Sequence, residues 1–428
     1  MNILLVTNTF TPHVGGVARS VEAFSAEYRK RGHQVLILAP EYPDRPQTET
    51  DVLRVPAIQH FNDSDFSVAL PMQAGLGLDI DAFQPDIVHS QHPFLLGFTA
   101  LRLARHRRLP IVFTHHTLYE QYTHYLRGDS PAMRRFAIEL ATRYANLCDH
   151  VFAPSDSIRT LIQQRGVTRP VTVVPTGVFP ERFARGDRHG FRRQFDIPPE
   201  AFVVGHMGRL APEKNLEFLA RALVNFIAAN PHAHFLLVGR GPAEAELRAI
   251  FEREQLGAHL HVAGILGQPA LADALHAMDV FAFASTSETQ GMVLTEAMAA
   301  GLPVVALDAP GAREVVRDGG NGRLLAGASP IQFAAALQWV AELGGEKLRE
   351  LQQAARDTAD TFSMPRTADR ALTCYASLQT HIGRQTPGLE SGWDDMVNFL
   401  KTEWDLLKSL ASASEASLDA GMLSVGER

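Results

Sequence analysis

Short apolar runs alternate with longer segments of helical periodicity through the first 175 residues. Strands are predicted at residues 3–7, 34–39, 52–55, 86–90, 111–114, 151–153 and 171–174, and helices at 17–31, 95–108, 132–147 and 157–165. Strands that alternate with helices usually pair in parallel and are covered by helices on both faces. The pattern therefore predicts one parallel α/β sheet in this part of the chain.

A second α/β series begins near residue 201. Strands are predicted at 202–207, 235–238, 261–263, 280–284, 304–307 and 323–325, and helices near 215–229, 243–255, 270–277, 292–300, 311–317 and 330–343. Residues 176–200 are rich in proline, glycine and charge and lack sustained periodicity, which indicates a linker. The predicted fold class is α/β, with doubly wound, Rossmann-like domains at 1–175 and 201–364 that face a cleft. Ligands of such sheets bind at the carboxyl ends of the strands.

The chain after residue 345 is predicted to be helical, with a break at 386–391 and an amphipathic helix at 392–410. The last helix contains Trp393 and Trp404, but Asp394, Asp395 and Glu403 on it oppose binding to an anionic lipid surface. Docking of this helix on the protein itself or on a second subunit is therefore favoured. The last 15 or so residues of the 386–428 extension are expected to be disordered.

Length and composition narrow the class of protein. A chain of 428 residues is expected to form two domains, and 46% hydrophobic with 20% charged residues is typical of a soluble globular protein. No run reaches the ~18 consecutive apolar residues of a transmembrane helix. The apolar start lacks a preceding basic region, so it indicates a strand rather than a signal peptide. Cys148 and Cys374 have no metal-type spacing and fit a reducing cytoplasm.

The charge is unevenly distributed. The net charge of −7 does not suggest a nucleic-acid partner, but residues 1–175 carry a net +1 and the remainder −8. The first part could therefore meet an anionic membrane, with the candidate contacts Arg127, Arg134, Arg135 and Arg143. Scattered arginines on solvated faces explain these counts equally well, and Met133, Phe136 and Leu140 between them could equally face the core.

Residues 280–307 combine a strand, a polar loop, a short helix and a second strand. The loop contains Glu288, and Glu296 lies about two turns into the helix. The amides of Gln290, Gly291, Met292 and Val293 lie where helical N–H groups lack internal partners and carry the positive end of the helix dipole. Donors and acceptors side by side suit a sugar ring, whose hydroxyls need both.

This unit resembles the donor-site signature of the retaining GT-B glycosyltransferases of family 4, which carry E-x7-E before a sequence like AMAAGLPVVA. The stretch HMGRLAPEKN matches a second pattern of that family in Gly208, Arg209, Leu210, Lys214 and Asn215. The resemblance covers nearly all of residues 1–380. It implies that a C-terminal helix, placed at 365–385, crosses back to the first domain.

The resemblance also implies roles for particular residues. Arg209 and Lys214 would stabilise the diphosphate leaving group, and Glu288 would hold the sugar hydroxyls and Glu296 the ribose. Further positions implied to contact the nucleotide sugar are Gly15, Gly16, Gly239, Gly241, Gln290, Gly291, Met292 and Val293. His116, after the strand at 111–114, would approach the transferred sugar.

The resemblance implies a retaining hexosyltransferase that uses a UDP-sugar and no other cofactor. THHTLYEQYTHY and SETQG resemble the branch that transfers glucose to 1,2-diacylglycerol, and also the sulfoquinovosyl and phosphatidylinositol branches. A soluble acceptor and a GT-B sugar-nucleotide epimerase stay open as alternatives, as does a non-catalytic sugar-nucleotide binder. A glycosidase is disfavoured because Glu288 and Glu296 lie on one element and do not face each other.

No essential metal is expected, because Arg209, Lys214 and the helix terminus would neutralise the leaving group. Asp79 and Asp81 form a D-x-D of the kind that binds metal in the other glycosyltransferase fold, but they lie in a predicted solvated helix. His115, His116 and His124 lack helical i, i+4 spacing and a carboxylate framework. The protein is expected in the cytoplasm, with a possible peripheral position on the inner face of the membrane.

Overall fold

A computed structural model describes residues 1–13, 15–45, 49–58, 68–69, 76–121, 130–382, 401–402, 405–406, 408–410 and 412–414. The chain divides into two compact units, of which the first contains residues 1–176 and 367–428 and the second residues 177–366. Each unit has its own parallel sheet.

The first unit contains a seven-stranded parallel sheet. Its strands are β1 (Asn2–Val6), β2 (Gln34–Pro40), β3 (Val52–Val55), β6 (Ile87–Ser90), β7 (Ile111–Thr114), β8 (His150–Ala153) and β9 (Val171–Val173), in the order β3-β2-β1-β6-β7-β8-β9. A two-stranded antiparallel pair, β4 (Ala57–Ile58) and β5 (Val68–Ala69), was not predicted from the sequence. The helices are α1 (Gly16–Lys30), α2 (Leu76–Phe83), α3 (Leu96–His106), α4 (Pro131–Leu147) and α5 (Asp156–Gln164).

The second unit contains a six-stranded parallel sheet. Its strands are β10 (Phe202–Met207), β11 (Ala233–Val238), β12 (Leu260–Gly264), β13 (Val280–Phe283), β14 (Val304–Leu307) and β15 (Gly322–Leu325), in the order β12-β11-β10-β13-β14-β15. The helices are α6 (Arg188–Gln194), α7 (Leu216–Ala229), α8 (Glu244–Arg253), α9 (Ala270–Ala277), α10 (Met292–Ala299), α11 (Pro330–Ala341) and α12 (Gly345–Thr361). The final helix, α13 (Met364–Ile382), begins here and continues into the first unit.

Burial explains why the apolar runs form these strands. All four residues of β13 and of β14 are buried, and apolar side chains from β10 and β13 pack on both faces of the sheet. A strand that is covered on both faces needs an uninterrupted apolar sequence. The prediction of two parallel α/β sheets from this pattern is confirmed.

The predicted linker at 176–200 is not a separate segment, because residues 177–200 belong to the second unit. Phe183 and Phe191 are buried in its core, and α6 forms within the segment. The guanidinium of Arg192 is buried, donates to the carbonyl oxygens of Pro199 (2.7 Å) and Ala277 (3.0 Å), and pairs with a nearby aspartate. The high content of proline, glycine and charge here reflects a compact turn structure held by a buried arginine.

The predicted helix at 311–317 was wrong. Residues 309–316 form successive turns, with Ala312 N donating to Ala309 O (3.1 Å) and Val315 N to Ala312 O (3.0 Å). Gly311 has φ of +84°, a left-handed conformation that interrupts a helix. Its backbone packs against the loop that contains Glu288.

Helix α13 contacts the first unit through buried polar groups. The hydroxyl of Tyr375 lies 2.6 Å from Nδ1 of His89 and 3.2 Å from the hydroxyl of Tyr28. Nε2 of the same histidine lies 2.6 Å from Oγ1 of Thr114. The predicted crossover helix at 365–385 corresponds to this helix.

Most of the C-terminal amphipathic helix predicted at 392–410, and the break at 386–391, lie outside the described residues. Within the described part, Leu406 is buried in the core of the first unit. No helix among the described residues is both long and apolar enough to cross a membrane.

Candidate functional site

The carboxyl edge of the second sheet has a switch point between β10 and β13. Strand β10 pairs with β11 on one side and with β13 on the other, so the connections that leave β10 and β13 run in opposite directions. Such a divergence opens a crevice at the carboxyl ends of the strands. The loops that enter it are residues 208–215 and 284–291.

Lys214 and Glu288 form an ion pair between Nζ and Oε1 at this edge of the sheet. Lys214 ends the 3-10 turn Pro212–Lys214 after β10, and Glu288 lies in the loop after β13. Their side chains are 18% and 19% exposed, so water can reach both charges. Sequence patterns selected both residues but did not predict that they pair.

Hydrogen bonds to backbone carbonyls hold the two loops together. The hydroxyls of Ser285 and Ser287 donate to Glu213 O, at 3.3 and 3.1 Å. Nδ2 of Asn215, whose backbone is left-handed at φ 55°, donates to Ala284 O at 3.2 Å. The serines were not selected from the sequence, because serine in a polar loop carries no distinctive pattern.

Arg209 forms an ion pair with Glu213 four residues later. The arginine side chain is 45% exposed and that of Glu213 only 10%. The guanidinium is therefore held at the solvent-facing side of the loop after β10. Glu213 thus pairs with Arg209, whereas Lys214 pairs with Glu288.

The loop after β13 enters α10 through a left-handed residue. Gly291 has φ 70° and ψ 54° and forms the N-cap of α10. The amides of Met292 and Val293 therefore lie at the start of the first helical turn, where N–H groups have no carbonyl four residues earlier in the helix. Gln290 is buried at 6% exposure. Glu296 is half-buried and lies about one turn into α10, not the two turns predicted from the sequence, because the helix begins only at Met292. A Cβ on Gly311 would approach the Cβ of Glu288 to 2.9 Å, so the turns at 309–316 pack directly against this loop.

Gly239 and Gly241 permit close contact between the loops after β10 and β11. Their φ angles are +139° and +157°. A Cβ on Gly239 would lie 1.9 Å from the carbonyl oxygen of Gly208, and one on Gly241 would lie 2.3 Å from that of Leu210. Both glycines are therefore needed for backbone packing at this edge, whether or not they also contact a ligand.

His206, near the end of β10, was missed in the sequence. Its ring is fully buried, and Nδ1 donates to Ala282 O at 2.9 Å. Nε2 has no hydrogen-bond partner among the described residues. Burial lowers the pKa of His206 to about 4, with the charges of Lys214 and Glu288 also acting on it. The imidazole is therefore neutral and has a lone pair on Nε2 beside the ion pair.

The first-unit candidates lie at the carboxyl edge of their own sheet. Gly15 is the N-cap of α1 and Gly16 its first residue, and a Cβ on Gly16 would meet no described atom within 4 Å. The backbone there is open to close approach by a ligand. Gly15 is more restricted, because a Cβ on it would lie 3.0 Å from Nε2 of His13.

His116 follows β7, and its Nε2 lies 2.7 Å from Oε1 of Gln91, a buried residue that follows β6. Burial, together with the neighbouring His92, His89 and His115, lowers the pKa of His116 well below its ordinary value. His115 is buried, and burial lowers its pKa to about 4. The structure thus brings Arg209, Lys214, Glu288, Gln290–Val293, Glu296, Gly239 and Gly241 together in the second unit, and Gly15, Gly16 and His116 at the sheet edge of the first.

Among the described residues, no three His, Cys, Asp or Glu side chains form a group suited to a metal ion. Asp81 of the D-x-D stretch pairs with Arg107 at 2.8 Å on the surface of the first unit. His124 lies outside the described residues.

Two family models match successive parts of the chain. One, described as Glycosyltransferase Family 4, matches residues 14–182, and one described as Glycosyl transferases group 1 matches residues 187–358. Among solved structures, Anabaena Alr3699/HepE in complex with UDP superposes with a TM-score of 0.72 at 22% identity, covering 88% of this chain and 100% of that one. This similarity establishes the GT-B type of fold.

Two relatives are similar over most of their length. A GDP-mannose-dependent alpha-mannosyltransferase of Mycobacterium tuberculosis is 31% identical over 399 residues, which cover 90% of this chain and 98% of the relative. An alpha-monoglucosyldiacylglycerol synthase of Streptococcus pneumoniae is 28% identical over 343 residues, or 76% of each chain. With both family matches, this similarity shows that the chain belongs to the family 4 glycosyltransferases of the GT-B fold.

Proposed function

We propose that this protein transfers a hexose from a nucleotide sugar to a lipid hydroxyl with retention of anomeric configuration. UDP-glucose is the first candidate donor and 1,2-diacylglycerol the first candidate acceptor. The observation that carries the proposal is the Lys214–Glu288 ion pair beside the left-handed Gly291 at the start of α10. It presents a cation, a carboxylate and helix-terminal amides within one crevice.

The cation and the amides suit the diphosphate of a nucleotide sugar. Negative charge grows on the leaving oxygen as the glycosidic bond breaks, and Lys214 with the more exposed Arg209 would stabilise it. Because these groups already supply positive charge, the proposal includes no essential metal and no cofactor. Retained turnover in the presence of a chelator is expected, and loss of turnover would contradict this part.

Glu288 and Glu296 suit the hydroxyl-bearing parts of the donor. A carboxylate accepts hydrogen bonds from hydroxyl groups, so Glu288 would hold the sugar and Glu296 the ribose. The acceptor oxygen would form its bond to the anomeric carbon on the face from which the diphosphate departs. The proton of the acceptor hydroxyl would pass to the departing diphosphate, which balances the reaction.

The lipid acceptor is supported by the name of the Streptococcus pneumoniae relative and by the sequence resemblance around Gln290. The amino-terminal half of α4 offers a surface that suits contact with a membrane. Arg134 and Arg135 are exposed there, and Met133 and Phe136 are only half-buried, while Leu140 further along is buried. This half-helix could lie against the anionic inner face of the cell membrane and bring a cytoplasmic enzyme to its acceptor. Arg127 lies outside the described residues.

The test is a donor screen with diacylglycerol vesicles. UDP-glucose, UDP-galactose and GDP-mannose are offered separately, and lipid products are resolved by chromatography and their anomeric configuration by NMR. A glycolipid with the α-anomer of the donor is expected, and Glu288→Gln provides the inactive control. A β-anomeric product would contradict retention, and sugar transfer only to water-soluble hydroxyls would contradict the lipid acceptor.

One alternative rests on a specific observation, and two more are separated by the same screen. The mannosyltransferase relative, which is 31% identical, favours a GDP-mannose donor as the second candidate. Transfer to a phosphatidylinositol or sulfoquinovosyl-type product is tested in the same screen by offering those substrates. Conversion of one nucleotide sugar into another without acceptor would instead identify an epimerase.

A further inference from the structure

Gln91 contacts His116 inside the first unit. It lies directly after β6, the residue is 3% exposed, and its backbone N donates to Val6 O at 2.9 Å. Oε1 of Gln91 lies 2.7 Å from Nε2 of His116. A buried amide with a fixed backbone can hold an imidazole in one orientation.

The orientation of the Gln91 amide follows from its second contact. Its Nε2 lies 3.5 Å from the carbonyl oxygen of His89, where an NH₂ group can donate. Turning the amide over would place Oε1 against that carbonyl oxygen, and two acceptors would face each other. Oε1 therefore faces His116, and Nε2 of His116 must be the donor.

This contact also determines where the imidazole carries its proton. Burial and the neighbouring His92 and His89 favour the neutral form of His116. A neutral imidazole with its proton on Nε2 has its lone pair on Nδ1. The neutral amide of Gln91 leaves the imidazole of His116 in its neutral form. A carboxylate at position 91 would instead stabilise the imidazolium.

We propose that Gln91 is a positioning residue that fixes His116 in the tautomer with its proton on Nε2 and its lone pair on Nδ1. Toward a sugar hydroxyl, His116 then acts as a hydrogen-bond acceptor through Nδ1. The catalytic meaning of this tautomer rests on the proposed function, because the family resemblance implies that His116 approaches the transferred sugar. The tautomer itself does not depend on which reaction the protein catalyses.

The first test reads the tautomer directly by ¹⁵N NMR of histidine-labelled protein. The chain has 18 histidines, and the His116 signal is assigned by its loss in His116→Gln. We expect a protonated Nε2 and an unprotonated Nδ1 in the wild type, and protons on both nitrogens at neutral pH in Gln91→Glu. A proton on Nδ1 in the wild type, or identical His116 signals in wild type and Gln91→Leu, would overturn the proposal.

The second test separates positioning from folding. Gln91→Leu is expected to lower kcat by about 10-fold or more, because the imidazole loses its fixed orientation. Gln91→Glu should regain activity as the pH is raised and the imidazolium loses its Nδ1 proton, whereas Gln91→Leu should not. Gln163→Leu, on the exposed face of α5, is the matched control. Equal losses in the two Gln91 variants at every pH would show a structural role only.

The proposed function and the proposed tautomer of His116 can be contradicted independently of each other. If no nucleotide sugar yields transfer, the proposed function fails, while the NMR spectra still decide the tautomer. If transfer occurs but the tautomer is the opposite one, only the role of Gln91 is wrong.

Discussion

Lys214 and Glu288 form an ion pair that joins the loop after β10 to the loop after β13, although 74 positions separate them in the chain. Each charge limits the other, because a donor that binds Lys214 through phosphate must compete with the carboxylate. The pair also keeps both side chains oriented before a donor arrives. Removal of either partner should therefore change the orientation of the remaining side chain as well as the binding of the ligand.

Replacement of Lys214 by methionine removes the cation and keeps most of the side-chain volume. We expect turnover to fall by ~10²-fold or more, because removal of a preorganised charge at a leaving group typically lowers the rate by that factor. Steady-state kinetics with the donor identified in the screen measure the effect. Lys347→Met is the matched control, because Lys347 forms an exposed ion pair with Glu350 at 2.9 Å in α12. Wild-type turnover in Lys214→Met would refute the assignment.

Gly239→Ala tests the close packing of the loops after β10 and β11. The added Cβ would lie 1.9 Å from the carbonyl oxygen of Gly208, on a backbone with φ +139°. We expect a loss of about 2 kcal/mol or more in the free energy of unfolding, from overpacking and backbone strain. Urea titration measures it. Gly327→Ala, where a Cβ would meet no described atom within 4 Å, should unfold like the wild type. Equal stabilities of the two variants would contradict the packing argument.

Buried histidines predict the acid sensitivity of both units. Burial lowers the pKa of His206 to about 4 and that of His89 to about 3, from the ordinary histidine value of 6.5. Between those values and pH 6.5 the unfolded chain binds protons that the folded chain does not. The free energy of unfolding should therefore be highest above pH 6.5. It should decrease as the pH falls toward 4, by about 1.4 kcal/mol per pH unit for each such histidine.

Urea unfolding at a series of pH values checks this expectation. His206→Gln should reduce the pH dependence, because it removes one group that the unfolded chain protonates. His189→Gln, at an exposed position in α6, serves as the control. Stability that does not change between pH 7 and pH 4.5 would contradict the burial of neutral imidazoles.

The sheets were predictable from the sequence because their physics is local. An uninterrupted apolar run such as Val304–Leu307 can only be satisfied by burial on both faces, and both predicted parallel sheets are present. The segment at 176–200 was misread because buried Arg192 and its carbonyl partners look like surface charge in a sequence. The helix at 311–317 was misread because nothing local reveals the left-handed Gly311.

The chemistry was predictable only as a list of residues. Patterns selected Lys214 and Glu288 separately, but their contact depends on the order of strands in the sheet. His206 and Gln91 could not be selected, because single polar residues at strand ends are common. Their burial and their partners are consequences of tertiary packing, which a single sequence does not display.

Tyr375→Phe tests how α13 is held in the first unit. The hydroxyl of Tyr375 lies 2.6 Å from Nδ1 of His89, and the ring stacks on Phe152 at a centroid distance of 5.9 Å. Phenylalanine keeps the stacking but removes the buried hydroxyl partner of His89, which should reduce the free energy of unfolding by about 1–3 kcal/mol. Urea titration followed by circular dichroism measures the difference.

Thr380→Ala on the same helix is the control, because its hydroxyl is exposed and donates to the nearby Ser377 O at 2.8 Å. If Tyr375→Phe proves as stable as this control, ring packing on Phe152 alone would account for the docking of α13. A loss confined to Tyr375→Phe would instead show that the buried hydroxyl–imidazole contact holds the helix. Because α13 joins the first unit at Thr367, directly after the chain leaves the second unit, proteolysis near that point should then become faster in the variant.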